Sequence, residues 1–287
     1  MKNAIAIMIS LLFLAAHASV HPFNHFFFGA HMIPHPDKVH KGGEDAFYAD
    51  QTVLSVADGV GGWANHGIDP SFYSKTLCSG IGDLLKENPK KYENDPKKLM
   101  FDTWARDKHI GSSTLVITYL DKEKPVLKTA YVGDSGYMII RKVNGRWKVI
   151  FESEEQQKGF NFPYQLAYLV PEHGDHPRVA IEKTHQVQHN DIVIVGSDGL
   201  FDNLDANQIM EILLPSIGSD DIIIKPDEIA KALAEKAWRY GHDQTYDSPF
   251  ARRAKARGYY YIGGKLDDTT VIVGQVVIVS RPKDQDL

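Results

Sequence analysis

An α+β domain of layered sheets and helices is what this chain predicts, and three observations carry the prediction. Apolar, β-branched runs come in pairs of antiparallel style. Helix-period segments stand in separate blocks, at 69–106 and at 206–257. The composition, 287 residues with 43% hydrophobic and 24% charged, suits one large domain with a full core.

The N-terminus reads differently from the rest. Lys2 precedes an apolar run at 4–16, which ends in Ala16-His17-Ala18. A basic start, a short apolar stretch and a small-x-small site together predict a signal peptide over 1–18, cleaved after Ala18. The expected location is secreted or endomembrane, with no stable membrane span after cleavage, because the run is short for a span. No arginine occurs before Arg106, unlike the arginine-rich presequences of mitochondria. Residues 19–40, rich in histidine, phenylalanine and proline, are expected to be a linker followed by an edge strand. The folded domain is expected over 41–280, with a tail at 281–287.

Within the domain the elements follow in order. A buried strand is expected at 52–57. Asp69 suits a helix N-cap and Pro70 the first helical position. Tyr73, Leu77, Ile81 and Leu84 then recur at helical spacing, and Asn88-Pro89 ends the helix. A second helix is expected at 96–106. Strands follow at 112–120 and 126–132. Those at 137–143 and 146–151 flank Asn144-Gly145, a strong hairpin signal. Runs at 179–187 and 191–195 are expected to pair with each other. Helices are expected at 206–214, 227–240 and 249–257, with a final strand at 269–279.

Charge and cysteine content exclude some classes. The balance of 32 basic against 37 acidic residues, a net −5, argues against nonspecific nucleic-acid binding. The basic run Arg252-Arg253-Ala254-Lys255-Ala256-Arg257 reads as a solvated helix face. The single cysteine, Cys78, excludes an internal disulfide and reads as core filler.

Four places set acidic residues against glycines beside an apolar run: Gly42–Asp45, Ala57–Gly62, Ser197–Gly199 and Gly263–Thr270. A strand end holds its side chain rigidly, and glycine lets another atom approach the backbone. Carboxylates gathered in this way repel one another unless cations or shared protons intervene. Oxygen ligands without a cysteine or paired-histidine motif point to Mg²⁺ or Mn²⁺. If Asp58, Asp198 and Asp267 converge, two ions bridged by Asp58 would supply hydroxide for attack on phosphorus.

The ordered set goes further. It comprises Glu44-Asp45, Asp58-Gly59-Val60-Gly61-Gly62-Trp63, Gly133-Asp134-Ser135, Ser197-Asp198-Gly199-Leu200-Phe201-Asp202 and Asp267-Asp268-Thr269-Thr270. It resembles the type 2C metal-dependent protein phosphatases, over nearly the whole span from about residue 40 to 279. Gly67-Ile68-Asp69-Pro70, Phe162-Pro163-Tyr164-Gln165-Leu166, Ser248-Pro249-Phe250-Ala251 and Gly263-Gly264-Lys265 resemble its T-cell-activation phosphatase branch, which includes mitochondrial enzymes. A mitochondrial location is therefore the alternative.

The resemblance implies a four-layer α/β/β/α sandwich, with two central antiparallel sheets flanked by helices and the metals at one end. It implies hydrolysis of phosphoserine or phosphothreonine in proteins, by a water or hydroxide bridging two Mn²⁺ or Mg²⁺ ions. By the same resemblance Asp58 is the bridging ligand and the Gly59 carbonyl a backbone ligand. Asp198 and Asp267 complete one ion, Glu44 and Asp45 hold metal-bound waters, and Asp134 serves a third site. Asp267, rather than Asp268, is the expected ligand of its pair. A monomer is expected.

Two departures stand out. Many relatives carry a phosphate-gripping arginine four residues before the acidic pair. Here that position is His40, followed by Lys41, and both become the candidate substrate contacts. Many also carry a histidine two residues after the bridging aspartate. Here it is Val60, leaving a metal-bound water, His66 or nothing as proton source, with His66 read as an ordinary loop histidine. Trp63 is expected to anchor its loop by burial. The alternatives are a catalytically silent binding protein on this fold, or a phosphatase of a small phosphorylated metabolite.

Overall fold

Strand faces decide the layers. In the computed structural model, residues 23–279 are described. The chain runs β1 (His25–Ile33), β2 (Asp45–Ala49), β3 (Val53–Asp58), α1 (Ser71–Glu87), α2 (Pro96–Arg106), β4 (Leu115–Leu120), β5 (Val126–Val132), β6 (Gly136–Val143) and β7 (Arg146–Glu152). It continues with β8 (Gln157–Gly159), β9 (Phe162–Pro163), β10 (Ile181–Gln186), β11 (Ile192–Gly196), α3 (Asp198–Phe201), α4 (Ala206–Leu213), α5 (Pro226–Gly241), α6 (Pro249–Ala256) and β12 (Thr269–Val277).

One sheet has the order β1-β12-β11-β6-β7 and the other β10-β5-β4-β3-β2, with every pair antiparallel. β11 is buried at every position because both its faces are covered. Val193 and Val195 enter the core between the sheets, with Leu54, Val56, Ile139 and Ile272. Ile192 and Ile194 pack instead with Leu233 and Ala237 of α5. On the far side, Val53 and Ala57 of β3 meet Tyr73, Leu77 and Ile81 of α1 and Leu99 of α2. The result is the expected four-layer α/β/β/α sandwich. Each large apolar side chain buried in these layers contributes roughly 1.5–3 kcal/mol.

Several expected elements form with small shifts. Asn144 and Gly145 take φ 52° and 77°, the two left-handed positions of a type I′ turn. Asp69 caps α1 from one residue further out than expected, its Oδ1 accepting from the Ser71 N–H at 3.0 Å. Asp205 and Gln208 close a reciprocal capping box at α4.

Two expectations change in detail. The edge strand expected after a linker within 19–40 is β1, which starts as early as His25 and pairs along its length with β12. Phe26 is buried in the inter-sheet core, so this strand is integral to the domain. The runs near 181–186 and 192–196 do not pair with each other. β10 pairs with β5 and β11 with β6 and β12, so the chain crosses from one sheet to the other at 187–191. Half-exposed β10 suits a sheet edge, whereas wholly apolar β11 suits a centre. The short β8–β9 hairpin had no recognisable strand signal, being only a few residues long. The proposed leader (1–18) and the tail (281–287) lie outside the described residues.

Candidate metal centre and active site

The register of β2 against β3 sets Asp45 opposite Asp58, at the end of both strands. The backbone around Asp58 is pinned on the β4 side. Its N–H donates to Thr114 Oγ1 at 3.1 Å, and its carbonyl accepts from Thr114 N at 2.9 Å and Ser113 Oγ at 2.8 Å. Gly59 follows because a Cβ there would stand 2.7 Å from the Glu44 carbonyl. Asp198 leaves β11 at the start of the single-turn α3. The next residue must be glycine, since a Cβ on Gly199 would collide with the Asp268 carbonyl. Asp134 sits in the β5–β6 turn, and Asp267 in the loop entering β12.

These separate segments converge. Asp58, Asp134 and Asp198 each bring a carboxylate oxygen within 4.8 Å of the others. With Asp267, Gly59, Lys38 and Lys265 they line a cleft of about 190 Å³. Asp45 is buried directly behind. Its Oδ2 accepts from Thr270 Oγ1 at 2.7 Å, and its Oδ1 has no hydrogen-bond partner.

The electrostatics are those of crowded anions. Burial, and then the charges of Asp198, Asp45, Asp267 and Asp134, push the Asp58 carboxyl well above the usual carboxylate range. Burial and Asp268 do the same to Asp45. Asp134 is pushed up to about 8, by burial first and by Asp198 second. Two ammonium groups offset part of this. Lys265 Nζ contacts Asp198 Oδ2, lies 2.6 Å from Asp202 Oδ2 and 3.6 Å from Asp267 Oδ2. Burial opposes its charge, but those three carboxylates outweigh burial and hold it protonated. Lys38 Nζ lies 2.7 Å from Glu44 Oε2, 3.4 Å from Asp267 Oδ1 and 3.1 Å from Asp268 Oδ2.

Does this set fit a hard divalent cation? Asp198 answers: one carboxylate oxygen meets Lys265, while Oδ1 is buried without a partner. An unanswered buried carboxylate oxygen costs several kcal/mol unless a charge meets it. All-oxygen donors facing one small cleft are the environment Mg²⁺ and Mn²⁺ take.

The candidate residues divide on inspection. The fold gathers Asp58, Gly59, Asp134, Asp198 and Asp267 at the cleft, with Glu44 and Asp45 behind. Asp267 and Asp268 are told apart by burial. Asp267 lines the cleft, whereas buried Asp268 accepts from the His35 N–H at 2.7 Å and the Glu44 N–H at 2.9 Å. Asp268 thus holds the chain ends of the site together.

The candidate substrate contacts lie away from the cleft lining. His40 is exposed and does not line the cleft. Lys41, 2.7 Å from Glu44 Oε1 and 3.0 Å from Asp69 Oδ1, does not line the cleft either. The cations that do line the cleft, Lys38 and Lys265, were missed. Lys38 lies in a 3-10 turn at Pro36–Lys41, within the supposed linker, and distance in sequence from the acidic pair hid it. Lys265 had a visible signal, two residues before Asp267. His66 faces a neighbouring groove rather than the cleft.

Comparison with known proteins bears on this arrangement. The chain is 38% identical over 271 residues to a probable protein phosphatase 2C 1 of Oryza sativa subsp. japonica, covering 90% of this chain and 77% of that protein. The chain belongs to the protein phosphatase 2C family. A Drosophila mojavensis relative, protein phosphatase PTC7 homolog fig, is 36% identical over 258 residues, covering 84% of this chain and 80% of its own length. Some relatives are longer: the chain spans 51% of a probable protein phosphatase 2C 55 of Arabidopsis thaliana, at 38% identity over 250 residues, 86% of this chain. The X-ray structure of the photosystem II phosphatase PBCP superposes with a TM-score of 0.79 at 36% identity, covering 88% of this chain and all of that one, 100%. The catalytic domain of the phosphatase PstP, solved with two manganese ions, shares the fold at a TM-score of 0.60 and 19% identity, covering 88% and 99% of the two chains. No protein-family profile matches the chain. Among the described residues of this phosphatase, no helix is long and apolar enough to cross a membrane.

Proposed function

We infer that the chain is a Mn²⁺- or Mg²⁺-dependent protein serine/threonine phosphatase. The observation that carries this is the meeting of Asp58, Asp134 and Asp198 within 4.8 Å, in a family of protein phosphatases. Asp58, Asp198, Asp267 and the Gly59 carbonyl would hold two cations, Asp134 would serve a third, and Glu44 and Asp45 would orient waters. Bound there, the cations supply acidified water for attack on phosphorus and neutralise charge on the phosphoryl oxygens.

The protein's own groups prepare this. Thr114 and Ser113 fix the Asp58 backbone, so its carboxylate needs little reorganisation. Lys38, on the cleft wall, offers a permanent point charge to the substrate phosphate in place of the usual arginine. With Val60 two residues after Asp58, no imidazole stands there to give the leaving oxygen a proton.

The test is phosphate release from phosphoserine and phosphothreonine peptides by the full chain. Turnover is expected with Mn²⁺ or Mg²⁺ and none in excess chelator. Full turnover in chelator would overturn the reading.

Export through the 1–18 segment is part of the same proposal, supported by Lys2, the apolar run and Ala16-His17-Ala18. Mass spectrometry of the native protein should find Ser19, or a close neighbour, as the first residue. An intact Met1 form in the cytosol would refute it, and a later start in mitochondria would favour the alternative.

A further inference from the structure

A second, larger hollow adjoins the carboxylate cleft. It holds about 710 Å³, against about 190 Å³ for the cleft itself. The two share a wall. Val60 lines both. On the β8–β9 hairpin the faces alternate: Asn161 and Pro163 turn to the cleft, and Phe162 between them turns to the hollow. In the glycine-rich loop, Gly61 faces the cleft, while Gly62 and Trp63 face the hollow.

The lining is aromatic and aliphatic, from Trp63, Phe162, Ile110, Ile68 and Val170. Phe162 is 53% exposed and Ile110 48% exposed, and both are gathered in this one hollow rather than scattered singly. The platform is held by contacts of Trp63. The Trp63 indole N–H donates to Ser112 Oγ at 2.6 Å. His66 and His173 stand edge-on to its ring, with centroids at 6.2 and 5.8 Å. Trp63 thus anchors its loop through its polar edge and keeps its ring at the hollow. The charged members of the lining, Lys158 and Glu172, are opposite in sign, and Lys158 is paired with Asp175 at 2.8 Å, so the lining carries no excess of positive charge.

We propose that this hollow is a specificity pocket for an aromatic or branched aliphatic side chain of the phosphoprotein substrate. The proposal rests on the phosphatase reading above. A shared wall means that one short peptide reaches both places, at about 3.3 Å of extended chain per residue. The anchored side chain therefore lies within about three residues of the phosphorylated serine or threonine. Binding it covers Phe162 and Ile110 and holds the phosphate over the carboxylates.

The experiment is a panel of phosphopeptides that differ at one position, from three residues before to three after the phosphoresidue. Each position carries Ala, Asp, Lys, Leu, Phe or Trp in turn, and kcat/KM is measured with Mn²⁺. At one position the apolar residues should exceed Ala by about tenfold or more, equivalent to about 1.4 kcal/mol of buried apolar surface. The readout for variants is the ratio of the apolar to the Ala peptide on the same protein, which cancels general damage. Phe162→Ala and Ile110→Ser should each bring that ratio to within about threefold of unity. A wild-type ratio near one at every position, a preference for Asp or Lys, or a preference kept by both variants overturns the proposal. So does a dimer in sedimentation that Phe162→Ala dissociates, because the hollow would then serve a second copy. Hydrolysis of no peptide, with or without Mn²⁺, would overturn the phosphatase reading itself.

Discussion

β11 is flanked by a buried aspartate at each end, and the two are treated in opposite ways. Before the strand, Asp191 receives Arg141 Nε at 2.8 Å, Arg141 Nη2 at 2.6 Å and the Gln188 N–H at 2.7 Å. After it, Asp198 meets Lys265 with one oxygen and nothing with the other, and faces Asp58 and Asp134. The same strand therefore carries a carboxylate completed by the protein and one completed only from outside. A buried charge with all its partners supplied is a structural joint. One with a partner withheld, among like charges, is a receptor.

The comparison can be broken most sharply by Asp58→Asn. Losing the central charge of the cleft should lower kcat by roughly a thousandfold, the scale of a dominant electrostatic stabiliser. Equilibrium dialysis should show weaker Mn²⁺ binding, while the melting temperature in chelator holds or rises, because mutual repulsion has been relieved. A lowered melting temperature in chelator would place Asp58 with the structural joints. Asp191→Asn should do the reverse. Calorimetry should show a loss of about 2–4 kcal/mol of stability, with kcat little changed below the transition. Asp268→Asn belongs with Asp191→Asn, since its carboxylate holds two backbone N–H groups and Lys38.

The same contrast divides two lysines. Lys38→Ala should lower kcat/KM on one phosphopeptide by about tenfold to a hundredfold, the loss of one charge-assisted bond. Lys41→Ala, which removes an ammonium that does not line the cleft, should stay within about threefold. Equal losses would return the phosphate contact to Lys41.

The gentlest test is pH. The Asp134 carboxyl is pushed up to about 8, by burial and Asp198, whereas the unfolded chain titrates near about 3.9. Between those values the folded, cation-free protein binds protons that the unfolded chain has released. This contribution is full below about pH 4 and is lost as pH rises to about 8, at up to about 1.4 kcal/mol per unit for each such group. Melting in chelator should therefore weaken from about pH 5 to 8, and Mn²⁺ should flatten the trend. Rising stability in chelator across that range would mean that the carboxylates are already compensated.

Much of this was legible in the sequence, for identifiable reasons. Strand-end aspartates beside glycine carry their signal locally, so Asp58 and Asp198 could be read one segment at a time. The helices were legible because Tyr73, Leu77, Ile81 and Leu84 repeat with the period of a helix face. What could not be read depends on three-dimensional pairing. An edge strand is expected in this span, but its bounds are hidden because histidines and a glycine interrupt the apolar residues of β1, and pairing with β12 sets them. The partners of β10 and β11 are set by which face of which sheet is free. Lys38 reaches the cleft through the turn at Pro36–Lys41, and nothing in its neighbours points to Asp267.

The pairing of β1 with β12 has a consequence during synthesis. β1 is the first described strand to leave the ribosome, and its partner is the last. β12 also separates β1 from β11, so β1 has no place in that sheet until β12 has been made. Through that interval Phe26, Phe27 and Phe28 have no strand to lie against. A nascent chain in this state offers an apolar segment with an open edge to any holding chaperone. The last described strand therefore joins β1 to its sheet and ends the period in which that segment must be kept from aggregating.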